Sequence, residues 1–342
     1  MKQILVTGGT GYIGSHTAVE LQHKSYEVIV ADNLSNSSLD VLDGIEQITG
    51  KRPLFEQIDF ANDQACRDFF AKYPNIEAII HFAAYKAVGE SMEQPIKYYR
   101  NNLLGLMNIL EAMSRHGIKH LVFSSSATVY GQPELLPASE KAPFQPATSP
   151  YGNTKQISEE IIQDCLHADS QLSAIALRYF NPIGAHASAL IGELPLGVPN
   201  NLVPFITQTA IGIRGKLKVF GTDYNTPDGT AIRDYIHVVD LAKAHVYAIE
   251  RLLNNQFQTP FEFFNLGTGK GHSVLEIIQC FERVSGVKLP YELVGRRPGD
   301  VEQVWADTEL ANRVLGWKAQ SSLEETLLSA WNWEKNYRSK NQ

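Results

Sequence analysis

An apolar stretch at residues 4–7 runs directly into Gly8-Gly9-Thr10-Gly11-Tyr12-Ile13-Gly14, and a helical pattern follows over residues 12–23. Few folds ask for so many glycines at such a junction. Glycine tolerates the tight turn and close backbone approach needed where a strand hands over to a helix beside a pyrophosphate. Phosphate oxygens at that place meet backbone N–H groups and the positive end of the helix dipole. The spacing is Gly-x-x-Gly-x-x-Gly, one residue longer at its start than the GxGxxG form. The bare string also suits an ordinary strand-to-helix turn. Its surroundings decide between the two. The next predicted strand, residues 28–31, leads to Asp32, about 20 residues beyond the glycines, where a carboxylate hydrogen-bonds an adenosine ribose diol. The same carboxylate repels a 2′-phosphate, and no lysine or arginine stands between Asp32 and Lys51. The run reads as a dinucleotide turn suited to NAD rather than NADP.

The rhythm of the chain agrees. Further β-rich runs at residues 54–58, 78–82, 120–124 and 174–180 alternate with helical patterns at 39–49, 64–72, 95–116 and 150–167. Near-continuous apolar strands separated by helices predict a parallel sheet covered on both faces, the doubly wound Rossmann-type α/β architecture. After Asn181 the rhythm breaks, with Pro182, Gly184, Gly192, Pro195, Gly197, Pro199 and Pro204 close together. A helix at 240–253 and a last one opening on the capping-box pattern Ser322-Leu323-Glu324-Glu325 follow. The expected division is a dinucleotide-binding domain at 1–181 and a smaller α/β substrate-binding module at 182–342, with segments packing back on the first.

The 342 residues carry a net charge of −7. That argues against nucleic acid or an anionic membrane as partner, so positive charge for a phosphate ligand has to be local. Cys66, Cys165 and Cys280 are too few and too scattered for a disulfide framework or a zinc site, and read as reduced thiols. No apolar run approaches the ~18 residues of a membrane span, and the apolar start is too short for a secretory signal. A cytoplasmic protein without metal is the expectation.

Ser149-Pro150-Tyr151-Gly152-Asn153-Thr154-Lys155 opens a helix, with serine suited to the N-cap and proline to the first turn. Tyr151 and Lys155 are four apart and share a face. A free tyrosine ionises near pH 10, but a neighbouring ammonium and a helix N-terminus favour the phenolate and make it a usable general base. A helix that merely carries an aromatic and a lysine at this spacing is also common. Upstream, Ser124-Ser125-Ser126 follows a predicted strand, at the end where open α/β sheets bind ligands. Ser126 is placed to hold a substrate hydroxyl and relay its proton to Tyr151, while Ser124 and Ser125 suit the turn itself. Arg233 and the pair Arg296-Arg297 are candidates for phosphate, although on residue type alone each is equally a solvated loop charge.

Taken together, these stretches resemble the extended short-chain dehydrogenase/reductase superfamily, and within it the UDP-glucose 4-epimerases, over essentially the whole chain. The glycine turn and the Tyr-x-x-x-Lys pair are superfamily-wide. Lys86-Ala87-Val88-Gly89-Glu90-Ser91 and the stretch from Asp228-Gly229-Thr230 through Arg233-Asp234-Tyr235-Ile236-His237-Val238 are far more specific, and Ile80-His81-Phe82-Ala83-Ala84 and Arg178-Tyr179-Phe180-Asn181-Pro182 match as well. The resemblance implies tightly held NAD on the turn Gly8, Gly11 and Gly14, contacted by Tyr12, Ile13, Asp32, Asn33, Asn36, Ser37, Asp59, Phe60, Phe82, Ala83, Lys86, Asn101, Lys155 and Phe180. It implies Tyr151 as base and Ser126 as its partner on the sugar 4-hydroxyl. It gives Arg233 and Arg297 to the diphosphate and Asp300 to the uridine ribose. Asn181, Asn201 and Leu202 would line the phosphate and sugar side, and Lys218, Val219 and Phe220 would run past the uracil. It also implies a homodimer built on the helices at 95–116 and 150–167.

Other readings within the superfamily fit less well. The sugar-nucleotide 4,6-dehydratases carry Asp-Glu directly after the residue matching Ser126, and Ala127 and Thr128 stand here. The decarboxylases have an acid where Thr128 sits. A non-catalytic dinucleotide sensor on this fold typically lacks the tyrosine or the lysine, and both are present. Val304 departs from the best-known bacterial pattern. Family members confined to UDP-glucose and UDP-galactose often carry tyrosine there, and those that also accept the N-acetylated sugars carry a smaller residue. Valine leaves room beside the sugar C2 substituent and offers an acetamide no hydrogen bond. The alternative is a core valine whose space a neighbour fills.

Overall fold

The computed structural model describes residues 1–297 and 300–340, so Pro298 and Gly299 of the arginine-bearing loop lie outside the described residues. The first half runs β1 (Gln3–Thr7), α1 (Tyr12–His23), β2 (Glu27–Asp32), α2 (Asp40–Thr49), β3 (Leu54–Gln57), α3 (Asp63–Lys72), β4 (Ile76–His81), α4 (Val88–Glu93), α5 (Pro95–His116), β5 (His120–Ser124), α6 (Pro150–Ala168) and β6 (Ser173–Tyr179). The second runs β7 (Asn181–Ile183), α7 (Leu202–Ala210), β8 (Leu217–Phe220), β9 (Ile232–His237), α8 (Val238–Leu253), β10 (Phe261–Leu266), β11 (Gly271–Ser273), α9 (Val274–Ser285), β12 (Tyr291–Val294), β13 (Gln303–Val304) and α10 (Leu323–Lys340). The expected strands and helices of the first half are present to within two residues at their ends.

Seven strands form one sheet in the order β10-β6-β5-β4-β1-β2-β3, every neighbouring pair parallel. Successive residues of a strand face opposite sides, and the apolar runs feed two cores accordingly. Ile4, Val6, Val28, Val30, Ala78 and Ile80 pack with α1 and α8 on one face. Leu5, Ile29, Ala31 and Ile79 pack with α3, α5 and α6 on the other. The strand order reverses between β1 and β4. Thr7 is level with both Ala31 and His81, so the loops that leave β1, β2 and β4 open at one edge, where such sheets bind ligands.

The chain after residue 181 returns to this sheet. β10 pairs in register with β6, Phe261 opposite Ala174 through Leu266 opposite Tyr179, and α8 covers α1 in the first core. β10 escapes a reading by pattern because Glu262 and Asn265 interrupt its apolar run. Both are paired by tertiary neighbours: Glu262 accepts from Arg251 at 2.7 and 2.9 Å, and Asn265 takes the Tyr130 hydroxyl at 2.7 Å. Of the remaining strands, β7, β11 and β13 form a small sheet around β9, and β8 pairs with β12 in a two-stranded sheet; a separate core with α7, α9 and α10 includes Ile206, Phe281, Leu327 and Trp331. The last helix is capped as expected: Ser322 Oγ accepts from Glu325 N at 3.2 Å, and the Glu325 carboxylate accepts from Ser322 N at 2.8 Å.

Beneath the sheet edge a buried pair fastens α6 to β6. Arg178 donates to Glu159 through Nε at 3.0 Å and a terminal nitrogen at 2.6 Å, and Ser125 Oγ donates to the same carboxylate at 2.5 Å. Both charged side chains are 4% exposed. Removing one partner of such a pair strands the other charge away from water, at a typical cost of ~3–5 kcal/mol. Arg178→Met is therefore expected to lose stability of that size in urea unfolding. A loss under about 1 kcal/mol would show that the pair does not anchor α6.

Candidate active site

Gly8 sits at the reversal point with φ +66°, and a Cβ there would meet the Ala83 backbone nitrogen at 2.8 Å. A Cβ on Gly14 would meet Gly8 O at 2.4 Å. The turn is glycine because β1, β4 and α1 converge on it without space for a side chain. No side chain caps α1, so its N-terminus is presented towards the cavity that Gly11, Tyr12, Ile13 and Gly14 line. Asp32 ends β2 facing the same turn. Its carboxylate accepts from Thr10 N at 3.2 Å, Leu34 N at 2.9 Å and Ser37 Oγ at 3.2 Å, which orients it rigidly. A glycine-lined helix end, an oriented carboxylate and a neighbouring stretch without basic residues fit the diphosphate and the ribose diol of NAD.

The cavity is about 1390 Å³, above the ~300–1,000 Å³ of a pocket for one drug-sized ligand and roomy enough for two ligands end to end. All the NAD-side candidates line it: Gly8, Gly11, Tyr12, Ile13, Gly14, Asp32, Asn33, Asn36, Ser37, Asp59, Phe60, Phe82, Ala83, Lys86, Asn101 and Phe180. So do Ser126, Tyr151 and Lys155, and also Asn181, Asn201, Arg233, Arg297, Asp300 and Val304.

Ser149 caps α6, its Oγ accepting from Gly152 N at 3.1 Å, and this sets Tyr151 in the first turn. Tyr151 and Lys155 are both buried. Lys155 Nζ donates to the Ser124 carbonyl at 2.6 Å and lies 4.8 Å from the centre of the Phe123 ring. Burial brings its pKa down to about 8, with Glu159, one helical turn on, pulling the other way. His81 beneath the sheet edge is held near 3 by burial and by Lys155, so it stays neutral, hydrogen-bonded to Thr7 Oγ1 at 2.8 Å. Tyr151 departs from expectation. Burial raises its pKa, and only the Ser126 hydroxyl opposes the rise. Lys155 stands 6.0 Å from the Tyr151 ring centre with one N–H donated to Ser124 O.

At the far end, Asp300 gathers the two arginines. One of its oxygens accepts from Arg233 at 2.8 Å and from Arg297 at 3.3 Å, and Arg233 is further fixed by the Val301 carbonyl at 2.5 Å. Arg296 turns away to Asp223 at 2.8 Å and stacks on Tyr224. Asp234, next to Arg233, is a structural clamp. It accepts from Thr268 N, Thr268 Oγ1, Gly269 N and Ala306 N at 2.7–3.2 Å, holding the loop after β10 and the chain after β13 beside the site. Leu202, Lys218, Val219 and Phe220 are not among the residues lining the cavity. β8 alternates, so Val219 points into the separate core formed with α7, α9 and α10 while Lys218 and Phe220 point out, and Leu202 packs against that core. Phe220 lies only 5.9 Å from the Arg297 guanidinium. Glu193 and Tyr179 line the cavity without having been expected there. Glu193 falls in the glycine- and proline-rich stretch, which has no periodicity to read, and Tyr179 is masked as an ordinary strand residue.

The model of the GDP-mannose 4,6-dehydratase family matches residues 5–329. The UDP-glucose 4-epimerase of Bacillus subtilis (strain 168) is 53% identical over 331 residues, covering 97% of this chain and 96% of that protein. The human UDP-glucose 4-epimerase is 49% identical, covering 98% and 97%. The chain belongs to the UDP-glucose 4-epimerase family. Among solved structures, the epimerase from Stenotrophomonas maltophila with bound NAD and formylated UDP-arabinopyranose is 46% identical and superimposes with a TM-score of 0.95 over 99% of this chain and all of that one. The epimerase from Bifidobacterium longum in complex with NAD+ and UDP is 45% identical, with the same TM-score over 98% and 99%. The dehydratase name of the broader model does not carry over to the chemistry, because Ala127 and Thr128 supply neither acid nor base for eliminating water.

Tyr151→Phe keeps the ring and removes the ionisable oxygen. Turnover is expected to fall ~10²- to 10⁴-fold, the usual worth of general acid–base help, with bound cofactor retained; near-native turnover in a stopped assay of UDP-hexose products would exclude Tyr151 as the base. Lys155 yields a stability prediction. Its folded pKa of about 8 lies below its ordinary 10.5, so unfolding takes up a proton between those values. Its penalty is full below about pH 8 and gone above about 10.5. The native chain should gain stability relative to Lys155→Met as pH rises through that window, read as a converging pair of urea midpoints. Parallel midpoints would contradict the shift.

Proposed function

We propose that this chain interconverts UDP-glucose and UDP-galactose by inverting the hexose C4 with tightly held NAD. The reading rests on one observation above all: Ser126, Tyr151 and Lys155 line a single cavity together with the glycine turn, Asp32, Arg233 and Arg297. NAD supplies a hydride acceptor that returns the same hydride, so none is consumed. The rest falls to the protein. Ser126 holds the 4-hydroxyl and Tyr151, acting as its phenolate, accepts the proton as the C4–H and O–H bonds break and a 4-keto sugar forms; the positive charge that bound NAD would bring, together with protonated Lys155, would favour that phenolate against burial. Lys155, fixed on Ser124 O, sets a positive charge beside the phenol whenever it is protonated. Arg233 and Arg297 grip the diphosphate while the sugar turns over beneath it, and Tyr151 returns the proton when the other face of C4 is reduced. Asn181 and Asn201 line the passage between. In this reading residues 1–181 carry the cofactor and 182–342 the UDP-hexose, with β10 and α8 tying the second part to the first.

The protein is proposed to work as a cytoplasmic homodimer. Leu104 and Met107 are exposed on α5, a helix that packs on α6, and an apolar face of this kind suits a helical interface with a second copy. Among the described residues, no helix is long and apolar enough to cross a membrane.

Val304 supports a wider substrate range. It lines the cavity, sits opposite Arg233 in the β13–β9 pairing, and packs partly against the cluster of Ala127, Tyr130 and Phe180. A valine there leaves space beside the sugar C2, so the enzyme should also epimerise UDP-GlcNAc and UDP-GalNAc. Product analysis with all four sugars and no added cofactor tests both readings. Epimerisation of the plain pair is expected, together with measurable turnover of the N-acetylated pair that Val304→Tyr selectively removes. Equal loss on all four, or no N-acetyl activity in the native protein, would sink the specificity reading. No turnover of UDP-glucose would sink the activity itself.

A further inference from the structure

Glu193 holds two ligand-facing donors from opposite sides of the cavity. Its side chain is 12% exposed, and the single oxygen Oε1 accepts from Asn201 Nδ2 at 2.6 Å and from Lys86 Nζ at 3.4 Å. Lys86 leaves the edge of the seven-stranded sheet after β4. Asn201 immediately precedes α7, in the separate core with α9 and α10. All three residues line the same cavity as Arg233. The backbone beneath the carboxylate is anchored too. Trp333 Nε1 donates to Glu193 O at 3.1 Å, and a Cβ on Gly192 would meet the Trp333 ring at 2.5 Å, so the segment is pressed against α10 and aims Glu193 across the cleft.

This is an anion placed where anions must bind. A carboxylate beside a diphosphate raises the energy of both in a partly desolvated cavity. An amide N–H held by a carboxylate is in a charge-assisted bond, roughly twice as strong as a neutral one. A phosphate oxygen that recruits Asn201 therefore has to take it from Glu193. We propose that Glu193 is an internal stand-in for the substrate diphosphate, a latch that joins Asn201 to Lys86 and is exchanged for the diphosphate when a UDP-hexose binds. This rests on the reading of the cavity as a UDP-hexose site. Glu193 is a positioning residue in this scheme and touches no reacting atom. Substrate and product carry the same diphosphate, so the latch weakens both alike. It sets KM and the release of product rather than the chemical step.

The test is Glu193→Gln, which keeps the length and an acceptor oxygen for both donors and removes the charge. Titration calorimetry of UDP into the NAD-loaded protein should show affinity rising roughly three- to thirtyfold. KM for UDP-glucose should fall in parallel without a rise in kcat, and the urea midpoint should stay in place. In an Asn201→Ala background the exchange is already broken, and the gain from Glu193→Gln should shrink to less than about half of that in the native background. Unchanged or weaker UDP binding by Glu193→Gln overturns the latch, as does the same gain in both backgrounds. A purely structural role would leave Glu193→Gln neutral and show only in Glu193→Ala. If the native chain binds no UDP, the substrate reading falls and the latch with it. If it binds UDP and Glu193→Gln does not tighten it, the latch alone falls.

Discussion

Seven parallel strands leave their carboxyl ends on one edge, and everything functional in this protein hangs on that edge. Parallel pairing needs a crossover between strands, so each return places a new loop beside the previous one. β1 delivers the glycine turn, β2 delivers Asp32, β4 delivers Phe82 to Lys86, β5 delivers Ser124 to Ser126, and β6 delivers Phe180 and Asn181. The register that sets Thr7 level with Ala31 and His81 is what makes these five loops line one cavity rather than scatter along the sheet. The close approach of Gly8 to Ala83 is the tightest expression of that register.

Helix α6 turns the edge into a reactive site. Tyr151, Lys155 and Glu159 follow one another at four-residue spacing, so they share one face. The first lines the cavity, the second meets the Ser124 carbonyl, the third Arg178 and Ser125. The ion pair at the inner end fastens the helix to the sheet, and that fixes how deep the tyrosine lies. Depth has an electrostatic cost, since burial raises the Tyr151 pKa and lowers that of Lys155. The buried pair therefore has a phenol whose pKa lies above its ordinary value and a lysine whose pKa is brought down to about 8.

The second half of the chain closes the site and is not free of the first. β10 completes the sheet beside β6 and α8 packs on α1, while Asp234 binds the loop after β10 to the strand that carries Arg233. Arg233, which lines the cavity, is thus positioned by the same framework that positions Tyr151. Across the gap, Glu193 joins Lys86 to Asn201, so the two walls are also held through a charged group at the mouth between them.

Local chemistry made much of this legible in the residues alone. A glycine turn, a carboxylate at the end of the next strand, a serine–proline helix start and a tyrosine and lysine four apart each impose their own short-range geometry, and strand and helix periods in the first half survive into the structure with little change. Resemblance added the arginines and Asp300. What the residues could not settle depends on partners distant in the chain. β10 is a strand because Arg251, Tyr130 and Glu140 satisfy its polar groups. Val219 lies in a core because β8 pairs with β12 and alternates its side chains into that core. The Tyr151 pKa rises because burial, a property of packing, outweighs the Ser126 hydroxyl that opposes it. The sequence by itself determined the turn chemistry, the helix faces and the architecture class, since these depend on neighbours a few residues away. Only the tertiary structure decided burial, the pairing of charges and which side chains share a cavity, because those are set by contacts between segments that the chain brings together from far apart.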